Sequence, residues 1–290
     1  MNCALVAAFL LLQAPFRSGV DLVEVDVSVM RGGTPVTGLT AANFLLTDNG
    51  AGQEISTVTL DRLPLTIILT LDISDSVSGQ KLRYLTDAVL GLAHGLRPED
   101  RVALVTFSNW IDVAVPLTHD ASAVSRAVSS LQPGGGTSLN DALHVALQLR
   151  PRDRSRIVVL AFTDGSDNLS WITDRAIVDE ARRAGIVVHA IEIRREPAAD
   201  IPGLQRIQPA NSLLEPLIAA TGGRIWSATS SSDLRRLFTR ALEEMRARYL
   251  LTFTPKDRTA EGWHDLKVTL KNARGDVTAR PGYFVVPKEP

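Results

Sequence analysis

The sequence is poor in cysteine and in net charge, and both shortages exclude classes of function. Cys3 is the one cysteine among 290 residues, so the chain forms no internal disulfide and the rest of it holds no thiolate zinc site or cysteine nucleophile. There are 31 basic and 32 acidic residues, which leaves a net charge of −1. This balance gives no reason to expect a nucleic acid or an anionic membrane surface as the partner.

Several enzyme motifs are also missing. The sequence has no Gly-x-Ser-x-Gly elbow, which argues against a Ser/His/Asp hydrolase. No lysine follows the glycine loop Gly134–Gly136, so the loop is not a nucleotide-binding P-loop. Ser74 stands where phosphotransferases of the haloacid dehalogenase type need a second acid. The five histidines never pair at ligand spacing. We therefore expect a protein that is not an enzyme and binds no nucleotide.

A short apolar run lies near the N-terminus. Ala4–Leu12 has the length of a signal-peptide core and is too short to span a bilayer. No Lys or Arg precedes the run, and no Ala-x-Ala cleavage site follows it. We interpret residues 1–17 as a signal peptide, which predicts a secreted, periplasmic or cell-surface protein. The alternative is an N-terminus that is disordered or packed in the core.

One buried strand ends in a group of oxygen-bearing side chains. The apolar run Leu65–Leu71 predicts a strand buried on both faces, and it stops at Asp72. A carboxylate directly after a buried strand is costly unless something pairs with it. Ser74 and Ser76 follow at alternate positions, so a loop that curls over the strand end could point these side chains at one centre. Carboxylate and hydroxyl oxygens suit Mg²⁺, Mn²⁺ or Ca²⁺.

Two later stretches end in the same kind of side chain. The glycine loop leads into Thr137, at the start of an amphipathic helical pattern. A second apolar run, Ile157–Phe162, is followed by Thr163 and Asp164. Two predicted strands and one glycine loop therefore all end in potential oxygen ligands.

Together these stretches resemble the metal-ion-dependent adhesion site (MIDAS) of the von Willebrand factor type A family. All five ligand positions match in the order of the family: Asp72, Ser74 and Ser76 from the first loop, Thr137 from the second and Asp164 from the third. The resemblance implies that these residues bind a divalent cation, which we expect to be Mg²⁺, with Mn²⁺ or Ca²⁺ also possible. It also implies a partner-binding rim formed by Gly135, Gly136 and Gly165.

The ligand count suggests how such a cation would act. Three hydroxyls and two carboxylates leave a divalent cation electrophilic, with at least one position open. The resemblance implies that an Asp or Glu carboxylate of a partner protein fills this position. We therefore expect an adhesion or assembly module that binds a protein partner through the cation.

The resemblance covers roughly Leu63 to Met245. Less specifically, three further segments are similar to exported bacterial proteins of an acidobacterial type with a von Willebrand A-related core: Phe16–Leu22, Pro35–Thr40 and Ala279–Tyr283. This wider similarity implies export and a bacterial source.

The order of apolar patterns predicts the architecture. Strand and helix patterns alternate over residues 63–247, which predicts an α/β fold with a doubly wound, mainly parallel sheet flanked by helices. In such sheets ligands bind beyond the carboxyl ends of the strands, where Asp72 and Asp164 are expected.

The two flanking segments read as strands and turns. Residues 18–62 and 248–290 are strand-like; Val277–Val286 is predicted as one strand and His264 falls in a turn region. Because neither segment has enough apolar residues to bury a core alone, we predict that both combine into one small β-sandwich with the central domain inserted between them. The alternative is two separate β appendages.

Two other functions stay open from the sequence alone. One is a metal-dependent hydrolase. The other is a purely structural metal site, in which the surface around Ser76, Gly136 and Asp164 would be covered. Trp110 and Trp171 flank the expected rim and suit a binding surface, although packing in the core is an equal alternative for each.

Overall fold

A computed structural model describes residues 22–60, 63–151, 153, 155–163, 166–193, 213–228, 231–257 and 261–285. The interpreted signal peptide and the predicted site residues Asp164 and Gly165 lie outside these ranges. The strands are β1 (Val23–Arg31), β2 (Thr34–Pro35), β3 (Phe44–Asp48), β4 (Ala51–Gln53), β5 (Ile55–Leu60), β6 (Leu65–Asp72), β7 (Arg101–Phe107), β8 (Ile111–Thr118), β9 (Arg156–Thr163), β10 (Val187–Ile193), β11 (Ile225–Ala228), β12 (Arg248–Phe253), β13 (Gly262–Leu270), β14 (Asp276–Ala279) and β15 (Gly282–Val285). The α-helices are α1 (Gln80–His94), α2 (Ala121–Val128), α3 (Leu139–Gln148), α4 (Asp174–Ala184), α5 (Leu214–Thr221) and α6 (Ser231–Arg246).

The central part is a six-stranded sheet with helices on both faces. Its order is β11-β10-β9-β6-β7-β8, and β8 runs antiparallel to its neighbour while the other pairs are parallel. Helices α1, α2 and α6 share a core with one face of the sheet, and α3, α4 and α5 share a core with the other. Every residue of β6 is consequently buried. The predicted doubly wound α/β fold is confirmed.

The last helix illustrates how the sequence pattern becomes packing. Its apolar side chains recur at helical spacing, so they form one stripe along α6. All of them are buried in the core shared with α1: Leu234, Leu237, Phe238, Ala241, Leu242 and Met245.

Within the described residues, no helix is long and apolar enough to cross a membrane.

Strand β6 marks the point where the order of the parallel strands reverses. It lies between β7 and β9, so the chain winds away from it in both directions. The carboxyl ends of β6 and β9 therefore border the crevice in which open α/β sheets bind ligands. Asp72 is the last residue of β6, and Thr163 is the last residue of β9.

The N-terminal and C-terminal segments pair with each other in two further sheets. One has the order β14-β1-β12-β5, with β2 on β1, and the other has the order β15-β13-β3-β4. Apolar side chains of both sheets meet in one core, which includes Val27, Phe44, Tyr249 and Leu266. The division of the chain at residues 62 and 247 stays a prediction, and this pairing across the ends of the chain supports it.

Two predictions in the C-terminal segment were wrong. The expected strand over Val277–Val286 is two strands, β14 and β15, which belong to different sheets. Pro281 lies between them and has no backbone N–H for a ladder. His264 lies inside β13 rather than in a turn, and it is buried with its Nδ1 atom 2.8 Å from Oδ1 of Asp48.

A buried ionic cluster joins the central sheet to the flanking sheets. The carboxylate of Asp26 on β1 lies 3.0 Å from Nε of Arg156 on β9 and 3.7 Å from Nε of Arg248 on β12. Burial lowers the pKa of Arg248, and the charge of Asp26 opposes that shift. The guanidinium of Arg248 also donates to the carbonyl of Gly222, at 3.1 Å. The two parts of the molecule are therefore held together by a shared counter-charge.

Candidate metal centre

The carboxylate of Asp72 is buried and fixed in orientation. The residue is 0% exposed. Its Oδ1 atom accepts a hydrogen bond from the backbone N–H of Ser74 at 2.9 Å, and its Oδ2 atom accepts one from the hydroxyl of Thr163 at 3.1 Å. These two bonds hold the carboxylate at the junction between the ends of β6 and β9.

The two serines after Asp72 place their hydroxyls side by side. The Oγ atoms of Ser74 and Ser76 are 3.1 Å apart, because a 3-10 turn over Asp75–Val77 brings them onto the same side of the loop. Ser74 is buried, and Ser76 is partly exposed. The ammonium of Lys81 donates to the carbonyl of Ser76 at 3.0 Å and so holds the loop from the start of α1.

Backbone hydrogen bonds tie the glycine loop to this first loop. The N–H of Gly134 donates to the carbonyl of Ile73 at 2.8 Å, and the N–H of Asp75 donates to the carbonyl of Gly135 at 3.0 Å. The two loops thus form a short ladder above the carboxyl end of β6.

Asn109, in the turn after β7, holds the glycine loop from the other side. Its side-chain oxygen accepts a hydrogen bond from the N–H of Gly136. Gly135 has a φ of +87°, in the left-handed region, and a Cβ on it would lie 2.5 Å from the side-chain oxygen of Asn109. Both the backbone conformation and the close approach therefore require glycine at this position.

Thr137 is held by the loop that follows β9. Its N–H donates to the side-chain oxygen of Asn168 at 2.9 Å. Its carbonyl accepts hydrogen bonds from the N–H groups of Asn168 and Leu169, at 3.0 and 3.1 Å. Thr137 itself is 4% exposed and lies just before α3. The second and third loops are thus joined at the predicted ligand.

Asp167 in the third loop acts as a helix cap. Its Oδ2 atom accepts from the N–H of Asn140 in the first turn of α3, at 2.8 Å, and its Oδ1 atom accepts from the N–H of Ser170, at 3.1 Å. Both oxygens of Asp167 are thus engaged in capping α3 and in closing the third loop.

The structure brings four of the five predicted ligands onto loops that are bonded to one another: Asp72, Ser74, Ser76 and Thr137. The fifth, Asp164, follows Thr163 in the sequence and lies outside the described residues. No three His, Cys, Asp or Glu side chains cluster within the described ranges. The donors that the structure describes here are therefore carboxylate and hydroxyl oxygens, which fit a hard divalent cation.

The two rim tryptophans are on the surface. Trp110 is 68% exposed and Trp171 is 94% exposed, so packing in the core does not explain either of them. The rim glycines Gly135 and Gly136 are partly exposed, and Gly165 lies outside the described residues.

Three residues that position the site were not singled out from the sequence: Asn109, Thr163 and Asn168. Thr163 could have been found, because it directly follows a predicted strand and precedes a predicted ligand. The two asparagines gave no such signal, since Asn is common in loops of every kind.

Part of the chain matches a known domain family. Residues 67–166 match the family model of the von Willebrand factor type A domain. Human inter-alpha-trypsin inhibitor heavy chain H4 is 28% identical over 138 residues, which are 43% of this chain and 15% of that protein. The chain spans about a quarter or less of the length of the curated relatives that it matches.

Two solved structures share the fold. The von Willebrand factor type A structure from Catenulispora acidiphila has a TM-score of 0.53 and 13% identity, and the match covers 88% of this chain and 74% of that one. Proximal thread matrix protein 1 from the mussel byssus, solved with a zinc-occupied MIDAS motif, has a TM-score of 0.54 and 17% identity. That match covers 68% of this chain and 49% of the byssus protein.

Proposed function

Because residues 67–166 match the family model of the von Willebrand factor type A domain, we propose that this chain is a protein-binding module that depends on a divalent cation. In this proposal the cation is Mg²⁺, with Mn²⁺ or Ca²⁺ as substitutes, and its ligands are Asp72, Ser74, Ser76, Thr137 and Asp164. An Asp or Glu carboxylate of the partner protein completes the coordination. The module acts in adhesion or assembly and not as an enzyme.

The observation that carries the proposal is the bonding among the three loops. The first loop is joined to the glycine loop through Ile73 and Asp75, and the glycine loop is joined to the third loop through Thr137. Hydroxyl and carboxylate oxygens from separate parts of the chain are thereby held at one edge of the sheet. Preorganised ligands of this kind bind a cation without a large cost in chain entropy.

Each residue has a distinct part in the proposed site. When bound, the cation supplies an electrophilic position that a carboxylate oxygen can fill. Asp72 provides fixed negative charge, because both of its oxygens are held by hydrogen bonds. Ser74 and Ser76 add neutral oxygens and no charge. Thr137 comes from the glycine loop and Asp164 follows Thr163 in the sequence, and in this proposal both adjust when the partner arrives.

Exposure favours a binding site over a purely structural ion. A structural ion would be covered by protein, whereas Ser76 and Gly136 are both partly open to solvent. A carboxylate from another protein can therefore approach this edge. The zinc in the MIDAS of the byssus thread matrix protein also supports a divalent cation in this fold.

Export is the remaining part of the proposal. It is supported by the apolar run Ala4–Leu12, which has the length of a signal-peptide core. A secreted, periplasmic or cell-surface location suits a module for adhesion or assembly, because its partner is then another exported protein.

The proposal can be tested by asking whether the bound cation has an open position. The purified chain is loaded with Mn²⁺, and the relaxation rate of water protons is measured while acetate is added. We expect acetate to displace water from the bound Mn²⁺ and to lower the relaxation enhancement. Neutral acetamide should leave the enhancement unchanged, because it lacks the charge that the cation attracts.

Free Mn²⁺ titrated with acetate at the same concentrations is the control for direct complex formation in solution. Bound Mn²⁺ that does not respond to acetate would indicate a closed, structural ion. Failure of the chain to bind Mn²⁺ would contradict the ligand set itself.

A further inference from the structure

Half of the exposed large apolar side chains lie on loops at the edge that carries the candidate metal centre. Among the described residues, the large apolar side chains with substantial exposure are Leu22, Leu45, Trp110, Leu169, Trp171 and Phe284. Three of them, Trp110, Leu169 and Trp171, lie on the loops after β7 and β9, and we call these three the tryptophan rim. Highly exposed tryptophans are uncommon on a soluble surface and are typical of binding sites.

The backbone that carries the tryptophan rim is firmly held. The N–H groups of Trp171 and Ile172 donate to the carboxylate of Asp141 on α3, at 3.1 and 2.9 Å. The carbonyl of Trp110 accepts from the N–H of Ser108 at 3.0 Å and closes a tight turn. The backbone beneath both indoles is therefore held in place, which lowers the entropy cost of binding a partner there.

Both loops that carry the tryptophan rim contact the glycine loop. On one side, Asn109 bonds to Gly136 and is the neighbour of Trp110 in the chain. On the other, a Cβ on Gly136 would lie only 2.6 Å from Cδ1 of Leu169. A partner carboxylate that reaches the cation would thus bring its flanking side chains against apolar surfaces.

The charge of the same loops restricts the partner further. Residues 73–79, 108–110, 132–138 and 166–173 contain Asp75 and Asp167 but neither Lys nor Arg. A second acidic group on the partner would therefore find no positive side chain on these loops and would be repelled by the two aspartates. Lys81, at the start of α1, is a positive side chain beside the first loop, and its ammonium is bonded to the carbonyl of Ser76 at 3.0 Å. The cation is therefore the group that receives the partner carboxylate.

From these observations we propose that the tryptophan rim selects a partner segment in which a single Asp or Glu is flanked by apolar side chains. The partner is a protein segment with no second acidic residue near that carboxylate. This inference rests on the proposed function, since it describes what surrounds the carboxylate that the cation receives. Trp110 and Trp171 supply the contact area, and Leu169 lies against the glycine loop at Gly136.

A displayed library of short peptides tests the inference. Glu is fixed at the centre of each peptide, the other positions are random, and selection on the purified chain is run in Mg²⁺ and in excess EDTA. We expect selection only in Mg²⁺, with apolar residues enriched beside the Glu and acidic residues depleted. The selected peptide should bind Trp110→Ala and Trp171→Ala at least about tenfold more weakly than wild type. Leu45→Ala, an exposed apolar residue on β3, is the matched control and should bind like wild type.

The two proposals fail in different ways. Mg²⁺-dependent selection without apolar enrichment, or with no loss of affinity in the tryptophan variants, would overturn the role of the tryptophan rim and leave the cation site standing. Absence of any Mg²⁺-dependent selection would contradict the proposed function and the inference with it. Calorimetry with Mg²⁺ alone should give the same affinity for both tryptophan variants as for wild type.

Discussion

The hydroxyl of Thr163, the last residue of β9, donates a hydrogen bond to Oδ2 of Asp72, the last residue of β6, at 3.1 Å. This bond orients a carboxylate that we propose as a metal ligand. Groups that orient metal ligands typically contribute about tenfold to a hundredfold to metal affinity. We therefore expect Thr163→Val, which keeps the shape and loses the hydroxyl, to weaken Mg²⁺ binding by about tenfold or more, measured by titration calorimetry.

Thr70→Val is the matched control for that variant. Thr70 is also fully buried, on β6, and its hydroxyl has no hydrogen-bond partner within the described part of the chain. This variant should bind Mg²⁺ like wild type. Equal losses of affinity in both variants would show that the effect comes from repacking of the sheet and not from the orientation of Asp72.

Asn168 should control the mobility of Thr137. In Asn168→Ala the N–H of Thr137 loses its acceptor, and a neutral hydrogen bond contributes about 1 kcal/mol. Amide hydrogen exchange at Thr137 should then become faster by about fivefold or more. Unchanged exchange at this amide would mean that the carbonyl contacts of Thr137 hold the loop without the side chain of Asn168.

The ionic cluster between the central and flanking sheets should depend on Asp26. In Asp26→Asn the buried guanidinium groups of Arg156 and Arg248 lose their shared counter-charge. Removing one partner of a buried ion pair typically costs about 3–5 kcal/mol, so we expect a loss of about 3 kcal/mol in the free energy of unfolding, measured with urea.

Asp276→Asn, an exposed acid on β14, provides the comparison for Asp26→Asn and should change stability by less than about 0.5 kcal/mol. A similarly small change in Asp26→Asn would show that the cluster does not hold the two parts of the molecule together.

His189 should make stability depend on pH. Burial, with the charges of Arg248 and Arg224, lowers the pKa of His189 well below its ordinary value of 6.5. The unfolded chain therefore binds a proton below about pH 6.5 that the folded chain does not accept. This group therefore leaves the free energy of unfolding unchanged above about pH 6.5. Below that pH it lowers the free energy of unfolding by up to about 1.4 kcal/mol for each pH unit.

Urea unfolding of wild type and His189→Asn between neutral and mildly acidic pH isolates this contribution. An asparagine oxygen can still accept the N–H of Arg224, which donates to Nδ1 of His189 at 3.0 Å in the wild type. The variant should lose less stability than wild type as pH falls. Parallel pH profiles would mean that His189 takes up its proton in the folded chain.

The central fold was predictable because its strands are buried on both faces. Continuous apolar runs such as Leu65–Leu71 have few other interpretations, and their abrupt ends at polar residues locate the carboxyl edge of the sheet. The predicted ligands at this edge follow from the same pattern, since parallel strands end on the same side.

The flanking segments and the rim were harder to predict, for physical reasons. Whether Val277–Val286 forms one strand or two depends on which sheet each half pairs with, and tertiary contacts decide that pairing. The same holds for Trp110 and Trp171, because an isolated aromatic residue suits a core and a binding surface equally well. Their exposure is a property of the fold and not of the local sequence.

The central claim is that Asp72 helps to hold a divalent cation. Titration calorimetry of the purified chain with Mg²⁺, beside Asp72→Asn, tests it most directly, because this substitution removes the charge and keeps the size of the side chain. Asp87→Asn, a surface acid on α1, is the control. We predict saturable binding in wild type and Asp87→Asn and none in Asp72→Asn, with the same circular dichroism spectrum for all three. Equal binding in Asp72→Asn, or no binding in wild type, would contradict the account.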